Sequence, residues 1–124
     1  MEQEKQYRRE LEQVQDDFIR ENRKISDQFD QLFQEKQRFI REMEETGNAV
    51  RYTLGRHEEQ APIELSQVYH LIDEAQEEGL FLAKEQERLL EDKQEEIAFE
   101  LKKQTLDYEE KIIACQKERS EADA

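Results

Sequence analysis

Proline occurs once in these 124 residues, at Pro62, and glycine three times, at Gly47, Gly55 and Gly79; tryptophan is absent and Cys115 is the only cysteine. A lone cysteine excludes an intramolecular disulfide and a cysteine-based zinc cluster, and it suits a cytoplasmic origin. Three scattered glycines exclude a glycine-rich loop around a phosphate. Long apolar runs are also missing. Stretches such as Leu80-Phe81-Leu82-Ala83 fall far short of the roughly 20 apolar residues of a membrane-spanning helix. Residues 1–10 are charged throughout and lack the apolar core of a signal peptide. The expected location is therefore the cytoplasm; any export is expected by a route that reads folded helices rather than a cleaved leader. No membrane insertion is expected.

Charged residues are abundant, at 42% against 35% hydrophobic. That composition cannot fill a thick globular core, but it can supply the seam of a coiled coil, and the regular spacing of the apolar residues argues against disorder. The net charge of −14 argues against nucleic acid and anionic membrane as partners, since both call for a basic surface. The acidity is uneven. Residues 1–60 carry 15 acids and 11 bases, and residues 61–124 carry 18 and 8. Between His57 and Ala83 there are seven acids and no Lys or Arg. Such a tract either keeps the chain soluble or meets a basic protein surface.

The scarcity of helix breakers makes the chain all-α. Proline inside a helix costs about 3 kcal/mol, so Pro62 marks a reversal. The expected fold is an antiparallel two-helix hairpin, coiled-coil-like: one domain over 1–124, with a helix over about 3–54, a turn over about 55–61 and a helix over about 62–119. In the first helix Phe18, Ile25, Leu32 and Phe39 recur every seven residues, interleaved with Asn22, Phe29, Lys36, Met43 and Val50. Tyr7, Leu11 and Val14 extend the stripe, with a stutter at Val14-Phe18-Asn22. Ile19, Phe33 and Ile40 are expected to widen it. Gly47-Asn48 reads as a soft spot, and Gly55 as a left-handed C-terminal cap. Pro62 suits the first turn of the second helix. Its seam is expected through Leu65, Val68, Ile72, Ala75, Gly79, Leu82 and Leu89. After a shift at Leu90 it continues through Ile97, Leu101, Tyr108, Ile112 and Cys115, with fraying from about Ser120.

Catalytic groupings are not apparent. Ser26, Ser66 and Ser120 lack a glycine elbow, and His57 and His70 stand in no HExxH or Glu-x-x-His pattern. No enzyme activity, cofactor or metal is expected. Cys115 is in phase with Tyr108 and Ile112 and reads as a small seam residue, with a reactive thiol as the alternative. Phe99, Leu106 and Ile113 form another seven-residue repeat. Phe99 lies two positions from both Ile97 and Leu101, about 160° around the helix from each. This second stripe calls for a further apolar surface: a second internal contact, a second copy in a homodimer, or a different helical protein. Phe81, also off the seam, is grouped with it. Tyr69-His70-Leu71-Ile72-Asp73 matches Y-x-x-x-D, a short export-signal pattern; its alternative reading is a tyrosine packed one turn from an aspartate.

Glu77-Glu78-Gly79 and the run from Leu89-Leu90-Glu91-Asp92-Lys93 through Gln94-Glu95-Glu96-Ile97-Ala98 to Phe99-Glu100-Leu101-Lys102-Lys103 resemble the small α-helical (Lap-type) proteins that accompany LXG-domain toxins of the bacterial type VII secretion system. Length, acidity and layout agree; the first half matches only as generic heptads. The resemblance implies a WXG100-like helical hairpin. It also implies a targeting chaperone that binds the helical N-terminal LXG domain of a toxin, beside a second small helical protein, and presents it for secretion. The Trp-x-Gly turn of WXG100 proteins is replaced here by Leu54-Gly55. A structural coiled-coil scaffold or stalk acting through self-association is the alternative reading.

Overall fold

A computed structural model describes the backbone of residues 2–56 and 62–123, and the side chains of 2–56 and 66–123. The protein is an all-α hairpin of two helices, α1 (Glu2–Gly55) and α2 (Pro62–Asp123). Residues 57–61 of the expected turn and the Leu65 side chain lie outside the described residues. Glu2 and Glu4 stand in the first turn of α1, where carboxylates oppose the positive end of the helix dipole. Pro62 opens α2, where its missing N–H costs nothing. Pairs one turn apart reinforce the exposed faces, among them Arg20–Asp17 at 2.6 Å and Lys24–Glu21 at 3.3 Å, each contributing about 0.2–0.5 kcal/mol.

The helices pack in two compact units, residues 1–27 with 90–124, and residues 28–89. In the first unit the N-terminal half of α1 meets the C-terminal half of α2. Glu4 reaches Gln116 and Arg119, and the Tyr7 and Tyr108 rings lie 6.4 Å apart. The core there is a thin line. Ile25 is wholly buried and Ile112 is 7% exposed, while Val14, Phe18, Ile97 and Leu101 are half-buried. In the second unit Leu32, Phe39, Met43 and Val50 of α1 are half-buried, as are Val68, Ile72, Gly79 and Ala83 of α2. A Cβ on Gly79 would stand 2.5 Å from Cε1 and 2.8 Å from Cε2 of Phe39, and nearer still to Cζ. The ring therefore points end-on at the glycine, and the missing side chain is what admits it.

Several details differ from the sequence reading. Ala75, Leu82 and Leu89 are exposed, and Gln76, Ala83 and Leu90 occupy the half-buried row instead. In the second unit the seam steps four residues from Gly79 to Ala83; in the first, Leu90 stands seven residues before Ile97 and shares its phase. Ile19 and Phe33 are 49% and 62% exposed; two helices alone supply no third surface to cover the flanks of a seam. Gly55 ends α1 without a positive φ, because glycine permits the left-handed conformation without requiring it. α1 continues through Gly47-Asn48, and α2 stays helical to Asp123.

Candidate docking face

On α2 the helical period that turns Ile97, Leu101, Tyr108 and Ile112 toward α1 turns Phe99, Leu106 and Ile113 outward. These three are 66%, 51% and 53% exposed. Apolar side chains this open, recurring every seven residues, form a row that a second helix can cover. Phe81 is 62% exposed and belongs to the other packing unit, where Leu82 and Leu89 are also more than half exposed. The heptad pattern conceals those two leucines; the adjacency of Leu89 to Leu90 is the available signal.

The Y-x-x-x-D pair lies on the second unit. Tyr69 is half-buried, with the Arg51 guanidinium 5.9 Å from its ring centre, and Asp73 is exposed. Both border a shallow cleft against α1 that also includes Met43 and Gly47. Within the first unit a groove lies between the helices, floored by Val14, Phe18, Ile97 and Leu101 and edged by Glu21 and Glu100. Cys115 is half-buried and free.

Two polar clusters tie the first unit together. The Glu4 carboxylate, 8% exposed, accepts hydrogen bonds from Arg8 at 3.1 Å, Gln116 at 3.3 Å and Arg119 at 3.1 Å. The Arg8 bond, with those from α2, holds its pKa below the usual carboxylate value against the opposing effect of burial. A lowered carboxylate pKa adds stability that is complete above the unfolded-state value and is lost as pH falls through the folded-state value. Acidification is therefore expected to release the Gln116–Arg119 turn from α1 first, seen as early loss of amide protection there. Glu4→Gln should remove that acid step; an unaltered acid profile in the variant would disprove the link. In the second cluster Lys111 lies 5.6 Å from the Tyr7 ring centre and 5.2 Å from that of Tyr108. Its bond to Asp107 raises the Lys111 pKa, and burial with the nearby Glu10 carboxylate raises that of Tyr108.

Among the described residues no group of three or more His, Cys, Asp or Glu is arranged to hold a metal ion, and no helix is long and apolar enough to cross a membrane. No protein-family model matches the chain, and no curated protein or solved structure shows significant similarity to it.

Proposed function

We propose that this protein is a non-catalytic targeting chaperone that binds the helical N-terminal domain of a type VII-secreted LXG toxin and helps deliver it to the secretion machinery. The observation that carries this reading is the outward row Phe99, Leu106 and Ile113 on α2. Helix-on-helix docking is the mode that such a row serves. The acidic surface favours a partner with basic flanks, and the resemblance of residues 77–79 and 89–103 to LXG-associated proteins points to the toxin class. A second small helical protein would share the complex, and the chaperone would remain in the cytoplasm or leave with its cargo.

The test is co-expression with the LXG domain of a toxin encoded beside it. A stable complex through size exclusion, and retention of the toxin inside cells that lack this chain, are the expected results. Absence of a complex, with toxin export unchanged, would overturn the reading.

A further inference from the structure

The charges beside the outward row follow a regular order. Along the helix the sequence runs Glu95-Glu96, Phe99, Lys102-Lys103, Leu106, Glu109-Glu110, Ile113 and Lys117. All of these are exposed. Each charged pair stands seven residues from the next pair of opposite sign, about 10.5 Å of helix rise, too far for a bond within one helix. Neighbouring charges do find partners, as in Lys111–Asp107 at 3.1 Å. Among the described residues Glu95, Glu96, Lys102, Lys103, Glu109, Glu110 and Lys117 have no ion pair.

The order is self-complementary in one orientation. Two copies laid antiparallel, with Leu106 against Leu106 of the second copy, put Phe99 against Ile113. Lys103 then faces Glu110 of the second copy, Lys102 faces Glu109, and Glu96 faces Lys117. A twofold axis through Leu106 repeats every contact, as an isologous interface requires. A parallel pair in register would place Lys beside Lys and Glu beside Glu, which is repulsive. The local charge also suits self-association. Residues 95–117 hold six acids and four bases, whereas residues 57–83 hold seven acids and no Lys or Arg.

We infer that the row Phe99, Leu106 and Ile113 is covered, in the chain by itself, by the same row of a second copy in an antiparallel homodimer centred on Leu106. This goes beyond the chaperone reading and shares its face: a toxin helix would have to displace the second copy. The two fail separately, because the dimer is measured on the chain alone and the chaperone reading on the toxin complex.

The experiment is sedimentation of the full chain over a concentration series, with two charge variants. Wild type is expected to move from monomer to dimer as concentration rises. Lys102→Glu/Lys103→Glu makes the flanks around Leu106 acidic on both sides, and Glu109→Lys/Glu110→Lys makes them basic on both sides. Each variant alone is expected to lose the dimer, and an equimolar mixture to restore it. The basic variant also lowers the overall negative charge, so its dissociation would not reflect general repulsion. For orientation, in a Cys115→Ser background, Phe99→Cys mixed with Ile113→Cys should cross-link, and Phe99→Cys alone should not. Wild type that stays monomeric throughout, variants that dimerise as wild type does, or cross-linking of Phe99→Cys with itself would each overturn the inference. A monomeric wild type whose charge variants fail to bind the toxin domain would assign the face to the toxin helix alone.

Discussion

Replacing Phe99, Leu106 and Ile113 together by glutamine is expected to abolish capture of a helical partner while leaving the circular dichroism spectrum of the hairpin unchanged. The three side chains are more than half exposed, so their removal leaves no cavity in the seam. Glutamine is as good a helix former as leucine and a better one than phenylalanine or isoleucine, so the exchanges do not weaken the helix through propensity. Only the exposed half to two thirds of each side chain is left to bury at an interface, so each would lose about 0.8–2 kcal/mol of the roughly 1.5–3 kcal/mol that full burial is worth. Even the lower figure, taken three times, is roughly fiftyfold in affinity. The measurement is retention of the partner by immobilised triple variant, beside its far-ultraviolet spectrum. Undiminished capture would remove this face from the function; loss of helicity would show instead that the row supports the fold.

Gly79→Leu should destabilise the second unit, against the usual sense of a glycine replacement in a helix. On propensity alone, the exchange should stabilise the protein by about 1 kcal/mol. The Phe39 ring already occupies the space of the new side chain. Overpacking costs about 1–3 kcal/mol, and displacement of Phe39 also forfeits the ring's own burial. The steric effect therefore prevails, and the melting temperature should fall. In Phe39→Ala protein the same Gly79→Leu change has room, so its penalty should vanish or reverse. Equal effects of Gly79→Leu in both backgrounds would mean that the two residues are not coupled.

Much of the fold is legible in the residues themselves. With one proline, few glycines and apolar residues at three-four spacing, the chain has no competing way to bury its apolar side chains. The stripe of α1 follows from Phe18, Ile25, Leu32 and Phe39, and the outward row of α2 from the two-residue offset between Phe99 and its neighbours Ile97 and Leu101. Their exposure also follows once only two helices are available, because a helix paired on one side leaves its far side bare.

Other features depend on the fold as a whole. Leu82 competes with Ala83 for the seam, and Leu89 with Leu90; hydrophobicity alone favours Leu82 over Ala83 and does not separate Leu89 from Leu90. The partner helix decides within each unit: in the second, Phe39 needs the open space at Gly79, and the four-residue step from Gly79 brings Ala83 inward; in the first, Leu90 shares the phase of Ile97 seven residues on. Glu4 looks like one more surface acid among 33, yet it bonds with Gln116 and Arg119, more than a hundred positions away. Spacing along one helix specifies which residues share a face; what stands opposite that face is set by the register of two helices, which exists only after they pack.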